Sequence, residues 1–347
     1  MVVRAADLCC GVGGMSYGLA QAGVDVRLGV DISAECQQPY EANVGADFRQ
    51  QDLFDVPVRV LRQALRGEDA RLLAACAPCQ PFSEFNRNRA RDRAGGEGLL
   101  GRVHELTASL KPELLVFENV PSVMRSPALA KFRKHLTRLG YAVHAGVVDA
   151  ASVGTPQTRR RMVLFASRIG GLDPWTAPAG TEQASNVESA ISDLPHLDAG
   201  GVDPRDPLHR AAALKPINQK RIRSSVPGGT WADWPRRLRL ACHERDTGHS
   251  FKEAYGRMVW DRPAPTITTK FYNYGSGRFG HPEQDRAISA REAARLQGFP
   301  DDFVFADDEA GLRLTALGVL IGNAVPIPLA VALGFASMAV ADGREAA

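Results

Sequence analysis

The stretch Val2-Val3-Arg4-Ala5-Ala6-Asp7-Leu8-Cys9-Cys10-Gly11-Val12-Gly13-Gly14 sets a short apolar run against a glycine-rich turn, and a helix-compatible segment follows it. In that order the residues read as a buried strand, a loop whose glycines let a ligand approach the backbone, and a helix N-terminus whose N–H groups face an anion. A dinucleotide fingerprint would want a third glycine at position 16, where the chain has Ser16. The loop therefore suits a ligand carrying a carboxylate better than one carrying a pyrophosphate. Asp31 ends the next apolar run, where an acidic side chain commonly accepts hydrogen bonds from ribose hydroxyls.

Outward from this stretch, apolar runs at 2–8, 26–30, 72–75, 114–117, 142–148 and 162–166 alternate with polar, helix-compatible segments. Such alternation predicts an α/β domain with a doubly wound, mostly parallel sheet. After about residue 168 the texture changes: ten of the 22 prolines and all four tryptophans fall between there and His281. A smaller, loop-rich domain is expected over 168–317, with the sheet domain formed by 1–167 and completed by 318–347. Ser289-Ala290-Arg291-Glu292 is a capping-box pattern opening a helix that Gly298 would stop, and 327–340 is apolar enough to be a helix packed on the sheet.

With 347 residues and 44% hydrophobic content, the composition is that of a globular protein rather than a disordered or fibrous one. The beginning lacks the apolar core of a secretory leader, and no uninterrupted apolar run is read as bilayer-spanning, so a cytoplasmic protein without membrane contact is expected. Six cysteines at irregular spacing do not resemble a disulfide framework. The net charge of +3 conceals an uneven distribution: residues 205–278 hold fifteen Lys and Arg against six Asp and Glu, or +9. Arginine outnumbers lysine 35 to 7, which suits bidentate contacts to phosphates and base edges, although a GC-rich genome gives the same bias.

Chemistry concentrates at run ends. Cys79 stands in Ala77-Pro78-Cys79-Gln80-Pro81-Phe82-Ser83 after the third run, placed for a cleft-facing nucleophile. Cys76 and Cys79 also form a C-x-x-C, so a thiol oxidoreductase is a rival reading. Glu118, after Leu114-Leu115-Val116-Phe117, would sit at a strand end in a partly apolar setting that raises its pKa. In Gln157-Thr158-Arg159-Arg160-Arg161, strand alternation would turn Arg159 and Arg161 toward one ligand. No metal site is expected.

These blocks in this order resemble the DNA cytosine-5 methyltransferases of the bacterial restriction-modification type, a likeness that also takes in 291–300 and Gly322-Asn323-Ala324-Val325-Pro326. The resemblance implies a Rossmann-like methyltransferase fold, S-adenosyl-L-methionine as cofactor, double-stranded DNA as partner and 5-methylcytosine as product. It implies that Cys79 attacks C6 of a cytosine flipped out of the duplex while Glu118 serves ring N3 and Arg161, supported by Arg159 and Gln157, holds O2. For the cofactor it implies Cys9, Gly11, Val12, Gly13, Gly14, Asp31 with Ile32, Asp52 with Leu53, Pro78, Leu99, Asn323 and Ala324. Cys9 stands where the family usually has a phenylalanine. Gln80, Phe82, Ser83, Arg87, Arg89, Asn119, Gln157, Arg237 and Arg278 are the residues expected near DNA, with Trp231 to Arg237 a recognition element in a target-recognition domain. A nucleoid-associated monomer is expected, with a cognate restriction endonuclease as possible companion; methylation of tRNA by the same chemistry is the nearest alternative.

Overall fold

The computed structural model describes residues 1–67, 69–77, 98–170, 185–245 and 252–343. The chain divides into two compact units, Met1–Gly154 with Arg160–Glu182 and Val325–Ala347, and Thr155–Arg159 with Gln183–Ala324.

The first unit runs β1 (Val3–Leu8), α1 (Gly14–Gln21), β2 (Asp25–Asp31), α2 (Gln37–Val44), β3 (Asp47–Gln50), α3 (Val58–Ala64), β4 (Ala70–Ala75), α4 (Gly98–Leu110), β5 (Leu114–Asn119), α5 (Pro127–Arg138), β6 (Ala142–Asp149) and β7 (Arg160–Ser167). Its seven-stranded sheet has the order β3-β2-β1-β4-β5-β7-β6. Neighbours among the first five strands are parallel, and β7 runs antiparallel between β5 and β6. The order reverses between β1 and β4, the place where open α/β sheets leave a crevice for ligands.

Alternation divides each strand between two apolar layers: in β4, Leu73 and Ala75 join a cluster with Phe117 and Phe132, while Leu72 and Ala74 join Met15, Leu19 and Val116. Each expected strand is present. β3 was not expected, because Asp47-Phe48-Arg49-Gln50 is short, polar and largely exposed at the sheet edge. β7 begins at Arg160, so Arg159 precedes the strand and alternation does not place it beside Arg161.

The second unit contains α6 (Val187–Ile191), a two-stranded ribbon of β8 (Val202–Asp203) and β9 (Asp206–Arg210), α7 (Pro216–Arg223), α8 (Ala290–Leu296) and α9 (Leu314–Asn323). The capping box is formed: Ser289 Oγ accepts from Glu292 N, and Glu292 accepts from Ser289 N. Gly298, at φ +84°, follows the helix as expected. α9 lies against residues 268 and 269 so closely that a Cβ at Gly322 would come within 2.5 Å of that backbone. That contact carries the second unit to Ala324, beyond the expected limit of 317. Trp231 and Trp234 are buried with Leu238 against Tyr255, so these rings form core rather than an exposed recognition surface.

The last helix, α10 (Ile327–Ala341), returns to the first unit, where a Cβ at Gly18 of α1 would meet Ala330 Cβ at 2.4 Å. By length and mean hydropathy (2.0), Leu314–Ala341 reaches membrane-spanning character, which the sequence reading passed over. The run is broken between α9 and α10 and is mostly buried within the fold.

Candidate active site

At the end of β5 the apolar run gives way to Glu118 and Asn119, both buried, and antiparallel pairing sets them opposite Val163 and Met162 of β7. Arg161, beside Met162 at the start of β7, places its Nε 2.9 Å from Glu118 Oε1, with both side chains largely withdrawn from water. The expected apolar surroundings of Glu118 thus include a guanidinium. Such a pair holds the carboxylate and the guanidinium in fixed geometry. Asn119 donates its amide to Ala77 O at 2.9 Å and accepts from Val120 N at 2.9 Å, so the side chain expected near DNA is engaged within the sheet domain.

Arg159 and Gln157 belong to the second unit. The Arg159 guanidinium donates to the carbonyls of Ile267, Gly322 and Ala324 at 2.7, 3.0 and 3.2 Å. Gln157 donates to Leu296 O and Gln297 Oε1 and accepts from Ile267 N. Both side chains bind the segments around α8 and α9 together; the expectation that Arg159 faces a ligand in parallel with Arg161 does not describe it. Arg278 is likewise engaged, with Glu253, Gly229 O and Arg257 O, whereas Arg237 is exposed. Pro78, Cys79, Gln80, Phe82, Ser83, Arg87 and Arg89 lie outside the described residues.

The glycine loop lies at the crevice end of β1. Gly11 N and Ser33 N donate to the two carboxylate oxygens of Asp31, each at 2.9 Å, which fixes that side chain beside the loop. Cys9, Gly11 and Gly13 all have positive φ, and nothing lies within 4 Å of a Cβ built on Gly11. Val12 and Gly14 are buried in the turn, and Ile32, next to Asp31, is 65% exposed. Asp52 accepts from Phe54 N at 3.0 Å and so caps the short turn Leu53–Asp55, in which Leu53 is buried. Leu99 is half-buried on α4; Asn323 is exposed at the end of α9 and Ala324 follows it.

Sequence reasoning passed over the group beneath this loop. Asp7 is fully buried, and its Oδ2 accepts from Ser16 Oγ at 2.8 Å, which in turn bonds Tyr40 OH at 2.9 Å. Asp7 Oδ1 has no hydrogen-bond partner among the described residues. Burial pushes the Asp7 carboxyl up to about 7. The available signal was its place, a carboxylate ending an otherwise apolar strand immediately before the glycines. An unmatched buried acceptor, a fixed carboxylate at Asp31, an exposed apolar side chain and open space at Gly11 together fit a ligand with an ammonium, a ribose and a flat base.

The other cysteines here are poor nucleophiles. Burial, with nearby carboxylates, pushes the thiols of Cys9, Cys10 and Cys76 well up and that of Cys36 to about 12. Cys76 therefore lacks the readily formed thiolate that a dithiol exchanger draws on.

The seven-stranded sheet, its switch-point loop and the carboxylate after β2 define an S-adenosylmethionine-dependent methyltransferase fold. It superposes on the crystal structure of a DNA modification methyltransferase encoded within an E. coli prophage with a TM-score of 0.73 at 21% identity, covering 98% of this chain and 99% of that one. The chain belongs to the C-5 cytosine-specific DNA methylases, whose family profile matches residues 3–337. It is 41% identical over 333 residues to the Type II methylase M.HgiDII of Herpetosiphon aurantiacus, covering 95% of this chain and 93% of that protein. It is also 33% identical over 351 residues to the Type II methyltransferase M1.BsuMI of Bacillus subtilis, covering 95% and 79%. The protein is a DNA (cytosine-5-)-methyltransferase.

Proposed function

We propose that this enzyme methylates C5 of a cytosine extruded from a specific double-stranded DNA sequence, through a transient bond between Cys79 and ring C6. The observation that carries the reading is the Arg161–Glu118 pair at the ends of β7 and β5, alongside β4, from which the chain runs to Cys79 within four residues. C5 of cytosine is too weakly nucleophilic to be alkylated unaided. Addition of a thiolate to C6 breaks the ring's aromaticity and gives C5 enamine character. Glu118 would hydrogen-bond or protonate N3 as the ring gains electron density, and Arg161 would hold O2. Loss of the C5 proton to a base and expulsion of the Cys79 thiolate then restore aromaticity.

Gly11, Gly13, Gly14, Asp31, Ile32 and Asp52, together with Asp7, would hold S-adenosylmethionine. When bound it supplies an electrophilic methyl group. Asp31 would accept from the ribose hydroxyls, and Asp7 Oδ1 would take the methionine ammonium, which would match the buried carboxylate's charge.

The second unit is assigned to target recognition. Its exposed cations, among them Arg205, Arg223, Arg236, Arg237 and Arg262, would meet phosphates and base edges. Likeness to Type II methylases supports a protective role beside a restriction endonuclease of the same specificity. Bisulfite sequencing of DNA from cells expressing wild type and Cys79→Ala tests the reading: 5-methylcytosine at one recurrent sequence is expected for wild type and none for the variant. Residual methylation by Cys79→Ala would overturn the nucleophile assignment, and 5-methylcytosine found by the same sequencing only in tRNA would overturn the substrate.

A further inference from the structure

The parallel ladder between β4 and β5 ends at the pair Ala75 and Phe117. On its far side β4 remains tied to β1, with Cys76 N donating to Leu8 O at 3.1 Å. β5 continues two residues further because antiparallel β7 holds it through Asn119 and Met162. Beyond the last rung, the backbone of Ala77 and that of Asn119 share no ladder bond. The gap is closed by a side chain: Asn119 Nδ2 donates to Ala77 O at 2.9 Å while its Oδ1 accepts from Val120 N at 2.9 Å. Asn119 and Ala77 are both buried, so water does not compete for these groups.

The bonded carbonyl is the acyl half of the Ala77–Pro78 peptide. Proline supplies no N–H at that point, and a peptide unit is planar, so fixing this oxygen fixes the plane through which the chain leaves the sheet. Cys79 is the second residue beyond Ala77.

We infer that Asn119 is a positioning residue for the nucleophile, its amide acting as a replacement rung that sets the exit of the Cys79 segment from β4. The inference rests on the reading of Cys79 as the attacking thiol. An amide is the suited group at this position, because one planar side chain must both donate to a carbonyl and accept from an N–H. Aspartate keeps the acceptor and turns the donor into a second acceptor facing Ala77 O. When protonated, aspartic acid regains a donor.

The test compares wild type, Asn119→Ala and Asn119→Asp in single turnovers with S-adenosylmethionine and a duplex carrying 5-fluorocytosine at the target, reading the rate of covalent adduct formation by mass spectrometry. Both variants are expected to form adduct about 10- to 100-fold more slowly at pH 8, with the Kd for cofactor and for DNA within about twofold of wild type. Lowering the pH toward 5.5 should raise the ratio of the Asp variant to wild type while leaving the Ala ratio flat. Ionisations that the substitution leaves unchanged are common to all three proteins and cancel in these ratios. Adduct rates within twofold of wild type, or an Asp variant that does not recover in acid, would overturn the inference while leaving the nucleophile in place. A wild-type enzyme that forms no adduct would bring down both.

Discussion

In the first unit the most deeply buried side chains include strand residues such as Leu72, Leu115 and Phe117, whereas in the second Arg159, Arg221, Arg257, Arg286 and Arg291 are buried, as are aromatic rings such as Trp234 and Phe271. Among the described residues every buried arginine belongs to the second unit. The difference follows from where backbone groups find partners. Seven hydrogen-bonded strands satisfy the first unit's amides and carbonyls, but among its described residues the second has a short ribbon and short helices. Guanidiniums take over there: Arg257 donates to Ile222 O, His281 O and Gln284 O, and Arg221 to Leu238 O while lying over Trp234 and Tyr255. An arginine-rich stretch is therefore no direct measure of nucleic-acid contact, since part of the excess over 205–278 holds the unit's own backbone.

The largest effect that can break this comparison is at Arg286, whose guanidinium donates to both oxygens of Glu292 at 2.8 and 2.7 Å in a fully buried pair. Arg286→Met deprives that buried carboxylate of its guanidinium and is expected to cost about 3–5 kcal/mol, measured by urea unfolding. Amide exchange resolved by peptide should rise within 185–324 and not in β1, β4 or β5. A loss below about 1 kcal/mol would mean that the arginines are incidental to the second unit.

Asp7 sharpens the other side, where a polar group sits in the apolar unit. Its folded carboxyl titrates near 7, above its ordinary 3.8, so the folded state favours the protonated form. Stability from this group is greatest below pH 4, falls as pH rises from 4 to 7, and is level above 7, an integrated difference of up to about 4 kcal/mol. Comparing the unfolding of cofactor-free wild type and Asp7→Asn at pH 5 and 8 isolates it. The Asn variant should gain relative stability at pH 8, and identical pH dependence in the two proteins would refute the burial argument.

Smaller effects complete the series. Ser289→Ala removes the cap of α8 and the hydroxyl bonded to His209 Nδ1 at 3.0 Å, for a loss of about 1 kcal/mol in the second unit's unfolding. Arg237, exposed, should be neutral to stability when changed to Ala, within about 0.5 kcal/mol. If it meets a phosphate, the slope of log affinity against log salt for duplex DNA should fall by about 0.9.

Much of the first unit was legible because its strands are continuous apolar runs with turn chemistry between them. The glycine loop, Asp31, Glu118 and Arg161 could be placed because each lies at the end of such a run. β3 carried no such signal, since an edge strand needs little apolar surface. Arg159 and Arg161 show the limit of period-two reasoning: Arg159 lies just before β7, where alternation no longer applies, and its guanidinium turns to the second unit's carbonyls. The Asp7–Ser16–Tyr40 chain depends on groups nine and 24 residues apart, and Asn119 on a carbonyl 42 residues away. Short-range pattern has no access to these distances.

The seating of α10 on α1, with Gly18 against Ala330, bears on biosynthesis. One layer of the sheet's apolar packing, Met15 and Leu19 with Leu329 and Leu333, joins segments separated by some 300 residues of chain. At roughly 5–20 residues per second, a ribosome would hold the early strands without that cover for roughly 15–60 s. Over that interval the nascent chain bears an uncovered apolar face, a natural binding site for a chaperone, and truncation before α10 would yield an aggregating product rather than a smaller enzyme.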